Sequence, residues 1–440
     1  MKFIRFKKMH DVLLVCFLIT VIITLPFEVY ELTHILFSIF LLTIVVVRKS
    51  LNTKFLALFL FLYYFLPFLN ISTYRGIISF ETLQLYTIGI TCILLPFLFS
   101  VGNFPEQLKP KLYSKLVVTR RLIEFVLVHI LIVYALLGYV YLTLGNIIVN
   151  QELRFFLNPK VTYILKSTLY IPLFIVFFDK SQFSKKNILF FIILPLIPPF
   201  FIGSRGTVLI IIMSLMILFI LKGFPKNRRY YLRNSDLWKK YKFKIYRYGF
   251  FSFLLIQITY YTRRIFSDEF ISTNDLVMRY FSKITWYYVL IAPLYFSLRE
   301  TVGITEKIVS KNAYNKWFDY PIFFSEIATL LPGEQISPGI LLSQQLYNSS
   351  GRGGITPGIF GALYMDFKYG TVVILFLISM LIYYFYKKSF FSDINKILYV
   401  LTLTQFLHLY HRGFFKFEYL VAYIIVLFYI SVARIEKVKE

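Results

Sequence analysis

Residues 122–144 read LIEFVLVHILIVYALLGYVYLTL, an apolar stretch with a single carboxylate and no Lys or Arg. A bilayer core about 30 Å thick needs about 20 apolar residues for one helical crossing, so this stretch is long enough to span a membrane. The 440-residue chain is 58% hydrophobic, 20% aromatic and 16% charged, whereas soluble domains are typically about 45–50% apolar and about 25% charged. The composition therefore predicts a polytopic membrane protein and excludes a disordered or fibrous chain.

Similar apolar runs recur along the sequence and predict an all-α fold of about 12 transmembrane helices with both termini in the cytoplasm. Pro195, Pro198 and Pro199 predict a kinked or broken seventh helix. Residues 284–298 contain Pro293 and are predicted to form an interfacial or re-entrant helix instead of a span. The predicted spans are 11–27, 32–47, 55–69, 82–101, 122–144, 162–178, 188–202, 207–222, 248–262, 358–386, 397–410 and 417–433.

The charge distribution fixes the expected orientation. With a cytoplasmic N-terminus, the inner segments hold 31 of the 48 Lys and Arg residues, and the densest basic loop, 222–247, falls inside. This agrees with the positive-inside rule, and it assigns most of the formal charge of +26 to topology. Residues 1–262 are then the N-terminal helices one to nine, 263–355 one large extracytoplasmic loop with interfacial helices, and 356–440 the C-terminal helices ten to twelve.

Several functional classes lack their motifs in this sequence. Cys16 and Cys92 lie inside apolar runs, and the five histidines show no metal-ligand spacing. The sequence contains no Walker loop, no dinucleotide-binding fingerprint and no nucleophile elbow. We therefore expect no metal, no cofactor and no nucleic-acid partner, and we expect the basic residues to meet membrane lipids.

Arginines stand out on the predicted outer face. Arg205, in GSRG, is the only charge between Lys186 and Lys222, and it precedes a helix whose first N–H groups favour anions. Arg263 and Arg264 directly follow the ninth span. These side chains fit the binding of a pyrophosphate, and snorkelling to lipid headgroups is the alternative.

The second half adds further candidates. Arg352 lies in a flexible GRGG loop and fits a mobile anion-binding element, with a surface linker as the alternative. His411, Arg412 and Glu418 lie between the last two spans, where a histidine beside Arg and Glu suits general-base chemistry on a sugar hydroxyl. The alternative there is a polar interfacial tip. The lysines of the large loop, among them Lys307, are predicted to form a solvated face.

Two stretches carry a family resemblance: FFIGSRGTVLIIIMSLMILFILKG at 200–223 and GITPGIFGALYMDFKYG at 354–370. With the long outer loop between them, they resemble the O-antigen and capsule repeat-unit polymerases, the Wzy group. In that family a Gly–Thr/Ser–Arg hairpin takes the place of Gly203 to Gly206. Some members carry a glycine eleven positions after an arginine, and none of the outer arginines here does.

The resemblance implies a membrane glycosyltransferase that joins undecaprenyl-pyrophosphate-linked repeat units at the outer face of the bacterial inner membrane. It implies arginines that hold pyrophosphates, of which Arg205 matches best, no metal, and a chain-length regulator protein as a further partner. His411 or Glu418 would then take the acceptor proton, and Arg412 or Arg264 would grip the second lipid. An O-antigen ligase and a flippase or transporter for lipid-linked oligosaccharides are the alternatives.

Overall fold

A computed structural model describes residues 28–48, 50–99, 113–145, 156–177, 190–202, 205–222, 286–313, 321–330, 338–347 and 354–438, with a few isolated positions. The described chain is mostly helical. The predicted first span, 11–27, lies outside it, as do nearly all of the ninth span, 248–262, and of the basic loop 222–247.

The first helices match the predicted spans to within a few residues. Ser50 and Thr119 cap two of them, since their hydroxyl oxygens accept hydrogen bonds from Thr53 N and Leu122 N. Gly145, at φ 81°, ends the longest. The helices are α1 (Tyr30–Val47), α2 (Leu51–Phe68), α3 (Phe80–Phe99) and α4 (Arg120–Leu144).

The first two helices form an antiparallel hairpin. Tyr30 Oη, at the start of α1, donates a hydrogen bond of 2.8 Å to Phe68 O at the end of α2. His34 Nε2 lies 3.2 Å from Phe65 O, one turn further along the same contact. Both ring and hydroxyl bind carbonyls at the C-terminal end of α2, where backbone acceptors lack helical partners.

The middle of the described chain is broken into short helices, in the predicted sixth span, 162–178, as well as in the seventh, where the prolines predict it. Pro159 opens α5 (Pro159–Ser167), which continues through a 3₁₀ turn into α6 (Ile171–Ile175). The predicted seventh span contains the 3₁₀ turn Leu194–Leu196 and α7 (Ile197–Phe201), so the expected break is confirmed. The next helix, α8 (Arg205–Lys222), is continuous.

The described part of the large loop contains helices, as expected. They are α9 (Trp286–Ser310), the 3₁₀ helix Ile322–Leu330 and α10 (Pro338–Tyr347). Contacts from Tyr295, Arg299 and Glu306 all reach the segment 67–79 that joins α2 to α3. Because these three residues span about 16 Å of helix, α9 runs along that connection and lies across the ends of α2 and α3.

The predicted tenth span, 358–386, is two helices and not one. They are α11 (Gly358–Phe367) and α12 (Thr371–Lys388), joined by Lys368–Gly370 with Lys368 at φ 50°. Side chains of Phe360 and Leu375 both contact the position of Gly89. In a straight helix these two residues would be about 22 Å apart, so the chain turns sharply at Lys368. A local left-handed backbone conformation, which the hydropathy pattern does not report, makes this turn.

The last two helices are followed by a strand. The helices are α13 (Asp393–Arg412) and α14 (Phe417–Val432), and the strand β2 (Arg434–Val438) pairs antiparallel with β1 (Tyr113–Val117). The prediction of an all-α chain therefore needs one addition, a two-stranded sheet. Both strands fall in segments predicted to lie outside the spans, where backbone groups need partners beyond a helix.

One end of the helices carries this sheet, and we call it the sheet end. Ser114 N donates to Phe391 O at 3.1 Å, and Leu116 N donates to Asp393 Oδ2 at 3.1 Å. Ser50 Oγ lies 3.0 Å from Tyr386 Oη. The contacts join segments 48–54, 113–117, 386–396 and 434–438, which the charge pattern assigns to the inner face.

The opposite end carries the connection 67–79, α9, the start of α11 and the turn between α13 and α14, and we call it the loop end. Each of these segments was assigned to the outer face. Contacts within each end therefore join segments that the sequence assigns to one face.

The apolar helices make this a membrane protein. Within the described residues, four stretches are long and apolar enough, by length and composition, to cross a bilayer: Tyr30–Val47, Phe80–Leu98, Arg120–Leu144 and Gly358–Lys388. The last of them is divided between α11 and α12. Their surfaces expose large apolar side chains, such as Val46 at 75% and Leu142 at 84%, which in water would form costly apolar patches. Shorter apolar helices cover Asn52–Phe68, Phe190–Phe201 and Phe417–Val432.

Candidate functional site

The candidate residues that the structure describes lie at or near the loop end. His411 and Arg412 close α13, Glu418 is in the first turn of α14, and Arg205 is the first residue of α8. Ile202, three positions before Arg205, packs in a cluster with residues of α4 and α5, including Leu165. Arg263, Arg264 and Arg352 lie outside the described residues.

His411 joins the last helices to the large loop. Its Nδ1 lies 3.3 Å from Thr301 Oγ1 of α9. Its ring meets the ring of Tyr63 of α2 edge to face, at a centroid distance of 6.0 Å. His411 is half-buried, and Arg412 beside it is exposed. The imidazole is therefore held by a hydroxyl and an aromatic ring while a neighbouring guanidinium faces outward.

Two glycines hold this arrangement at the backbone. Gly413 (φ 89°) follows α13, and Gly358 (φ 63°) starts α11. A Cβ on Gly413 would lie 2.4 Å from Gly358 O, and a Cβ on Gly358 would lie 2.3 Å from Thr301 Cγ2. Only glycine fits both the dihedral angle and the space. The GITPG segment noted in the sequence thus packs directly on the segment that carries His411.

Glu418 is engaged in a buried ion pair. Its Oε2 lies 3.0 Å from Lys166 Nζ of α5, and the side chains of Glu418 and Lys166 are 5% and 13% exposed. A buried charge of this kind is stable only with its partner. The contact gives Glu418 the role of neutralising Lys166, so among the described candidates His411 is better placed to accept a proton.

A second histidine, His408, lies three positions before His411 and forms a hydrogen bond between α13 and α14. His408 Nδ1 lies 2.7 Å from Tyr419 Oη, and Gln405 Nε2 donates to Tyr419 O at 3.3 Å. Phe415 N donates to Phe323 O at 2.7 Å, which ties the turn between these helices to the 3₁₀ helix of the large loop. These bonds hold the 411–418 segment in place.

Sequence reasoning missed a charged cluster on the connection between α2 and α3. Arg75 Nη2 lies 2.6 Å from Glu300 Oε1, and Tyr74 Oη donates to the same carboxylate. Lys307 Nζ lies 3.6 Å from the centre of the Tyr347 ring. A signal was available, because Arg75 is the only charged residue between Lys54 and Glu81.

The surroundings shift the pKa values in this cluster. Burial, followed by the Glu300 carboxylate, raises the pKa of Tyr74 above its usual range. Burial opposes the charge of Arg75, but Glu300 outweighs it and the pKa of Arg75 rises. The pKa of Lys307 is lowered by burial, then by Lys311 and Arg75. The cluster is thus an excess of cations around one carboxylate.

A buried arginine anchors the large loop. The side chain of Arg299 is fully buried and donates hydrogen bonds to Asn70 Oδ1 at 3.0 Å and to the carbonyls of Pro67, Tyr74 and Gly76. These acceptors lie at or just after the C-terminal end of α2, where a cation is favoured. Arg299 therefore holds α9 in the position from which Thr301 reaches His411.

Asp366 and Lys368, two charged residues of the stretch 354–370 quoted above, have structural contacts. Asp366 accepts hydrogen bonds of 2.8 and 2.9 Å from Ile322 N and Phe323 N, so it caps the 3₁₀ helix of the loop. Lys368 Nζ donates to Asn312 Oδ1 at 2.6 Å, beyond the end of α9.

Across the described ranges, no group of three or more His, Cys, Asp or Glu side chains is placed to hold a metal ion. The loop end thus presents the imidazole of His411, which is held by Thr301 and Tyr63, beside the exposed side chain of Arg412. The chain matches no known family, no curated protein and no solved structure.

Proposed function

We propose that this protein is a membrane glycosyltransferase that polymerises oligosaccharide repeat units carried on undecaprenyl pyrophosphate, at the outer face of a bacterial cytoplasmic membrane. One observation carries the proposal: the contact of His411 with Thr301, which joins the last helices to the large loop beside Arg412. The segments that meet there are those whose charge pattern assigns them to the outer face, where ATP is absent and a lipid-linked donor must supply the energy.

The chemistry needs a base and a cationic site. The acceptor sugar hydroxyl attacks the anomeric carbon of the donor, and the bond from that carbon to the pyrophosphate oxygen breaks. Undecaprenyl pyrophosphate leaves with the bonding electrons, and the hydroxyl proton passes to His411 Nε2, since Nδ1 faces Thr301. Arg412 and Arg205 stabilise the negative charge on the leaving group.

Thr301 is a positioning residue in this scheme. It fixes which imidazole nitrogen faces the acceptor, as a hydrogen-bond partner commonly does for histidine. Glu418 supports the site by pairing with Lys166, and it takes no proton from the acceptor.

The test uses a deletion strain and the lipid-linked repeat units that accumulate in it. Purified protein in nanodiscs is given these extracted lipids, and the products are separated by electrophoresis and identified by mass spectrometry. We expect a ladder of two or more repeats and release of undecaprenyl pyrophosphate. His411→Ala should lower the rate by about 100-fold or more, as for loss of a general base. Arg434→Ala, an exposed change at the sheet end, is the matched control.

Other outcomes point to other functions. Transfer of a single unit to a different acceptor would indicate a ligase. Movement of intact lipid-linked units across a sealed bilayer, with no new glycosidic bond, would indicate a flippase. Full-length polymer from a normally folded His411→Ala protein would remove His411 from the reaction.

A further inference from the structure

An open groove of about 450 Å³ runs between α5 and α14, with α4 behind it. Phe417, Val421 and Ile425 line one wall at four-residue spacing, which places them on one face of α14. Tyr163 and Ile164 of α5 form the other wall. The walls are apolar or aromatic, which suits a hydrocarbon ligand.

The floor of the groove contains a histidine whose two ring nitrogens both have partners. His129 Nε2 lies 2.6 Å from Ser167 Oγ, and Ser167 Oγ in turn donates to Ile164 O at 2.5 Å. The serine proton is therefore committed to that carbonyl, so Nε2 carries the imidazole proton and donates it. His129 Nδ1 then accepts from Tyr429 Oη at 2.5 Å. Both ring nitrogens of His129 are therefore hydrogen-bonded within the protein, so a ligand in the groove does not need to supply a polar group at the floor.

One end of the groove is cationic. Lys160 is exposed and belongs to the lining at the start of α5, where Asn158 Oδ1 caps the helix by accepting from Lys160 N at 2.9 Å. Lys166, on the same helix, is paired with Glu418. The exposed charge of Lys160 and the positive end of the α5 dipole favour an anionic head. Phe417, at the same end, directly precedes Glu418 and follows His411 by six positions.

We infer that this groove binds the polyprenyl chain of a lipid-linked substrate, with the pyrophosphate at Lys160. The inference rests on the proposed function, since it assigns the groove to the substrate of the same site. A chain held between α5 and α14 presents its head beside the turn that carries His411 and Arg412. This placement would bring the pyrophosphate of a substrate to the proposed reaction site, whereas an ordinary phospholipid does not react there.

The test is photo-crosslinking of the purified protein in phosphatidylcholine nanodiscs with a diazirine-bearing polyprenyl pyrophosphate. We expect label in peptides covering 159–167 or 417–425. Val421→Trp fills the groove and should lower the labelling at least about tenfold. Ile424→Trp is the matched control, because Ile424 lies on the same helix, is 62% exposed and does not line the groove. Ile164→Trp fills the groove from the α5 wall, where Ile164 is exposed, and it replaces Val421→Trp in the test if that variant does not fold.

Charge and competition test the head. Lys160→Glu should weaken binding of the probe about tenfold or more, as for loss of a charge-assisted contact. Unlabelled undecaprenyl pyrophosphate should displace the probe, whereas phosphatidylglycerol at equal concentration should not. Equal displacement by both lipids would overturn the inference, because the groove would then hold ordinary bilayer lipid.

The two proposals fail in different ways. The inference is overturned if both groove-filling variants are labelled as strongly as Ile424→Trp. It is also overturned if the wild-type protein is labelled elsewhere, because another part of the chain or a second copy then fills the groove. Polymer can still form in either case. Groove-dependent labelling in a protein that makes no polymer overturns the proposed function and supports the groove.

Discussion

Single residues decide the geometry at the loop end. One example is the close backbone contact between Gly358 and Gly413. Both have positive φ, and a Cβ on Gly413 would lie 2.4 Å from Gly358 O, whereas a Cβ on Gly358 would lie 2.3 Å from Thr301 Cγ2. The sequence contains both glycines, but it does not reveal that they meet, since 55 positions separate them. Many positions need glycine for their dihedral angle, so a glycine in the sequence does not by itself indicate a close contact. The contact between these two glycines depends on the tertiary fold.

Gly413→Ala should lower the free energy of unfolding by about 2–4 kcal/mol, from the left-handed backbone and from crowding. Gly138→Ala is the matched control, because Gly138 lies within α4 with nothing within 4 Å of an added Cβ; it should stabilise the protein by about 0.5–1 kcal/mol. Thermal unfolding in one detergent compares the two. Equal midpoints would contradict the close packing at Gly413.

The Lys166–Glu418 pair allows a test of what Glu418 does. Lys166→Met or Glu418→Gln alone leaves one buried charge unpaired and should cost about 3–5 kcal/mol of stability, whereas the double variant should cost less than the sum. If Glu418 only neutralises Lys166, the double variant also regains polymer synthesis. Unfolding midpoints and product ladders are measured on the same samples. A stable double variant that makes no polymer would instead identify Glu418 as a base.

At the scale of elements, hydropathy predicted where helices lie but not how they turn. The run 358–386 is apolar apart from Asp366, Lys368 and a few small or tyrosine residues, so the hydropathy pattern predicts one long span. The turn depends on Lys368 at φ 50° and on bonds from its Nζ to Asn312 and Ala313, more than 50 residues away. The prolines of the seventh span, by contrast, remove backbone donors locally, and for that reason their effect could be predicted.

The turn between α11 and α12 predicts where Tyr369 lies. Its side chain is 68% exposed, and its Oη is 3.4 Å from Glu81 Oε1 at the start of α3, so the turn belongs to the loop end. In a protein with Cys16 and Cys92 replaced by serine, Tyr369→Cys should react with a membrane-impermeant maleimide added from that side. Val373→Cys, 60% exposed and four positions further along the chain, in the first turn of α12, is the control and should not react. An unreactive Tyr369→Cys would favour a single continuous span.

At the scale of the whole molecule, the charge pattern and the contacts divide the chain in the same way. The inner and outer assignments came from counts of Lys and Arg, and the sheet end and the loop end came from hydrogen bonds. The sequence could predict the class of protein and the positions of most described helices. It could not predict the partners Lys166 and Thr301, which lie 252 and 110 positions from Glu418 and His411, because such contacts depend on the packed helices.

The division of the molecule into two ends predicts opposite sides of the membrane for two exposed residues. Ile77, 79% exposed, lies in the connection between α2 and α3, and Lys437 lies in β2, paired with Ser114. With the native cysteines replaced, Ile77→Cys should react with an impermeant maleimide in intact cells. Lys437→Cys should react only after the membrane is opened, since basic segments stay inside. Reaction of both from one side would contradict the arrangement, and with it the placement of His411 on the outer face, because His411 shares the loop end with Ile77.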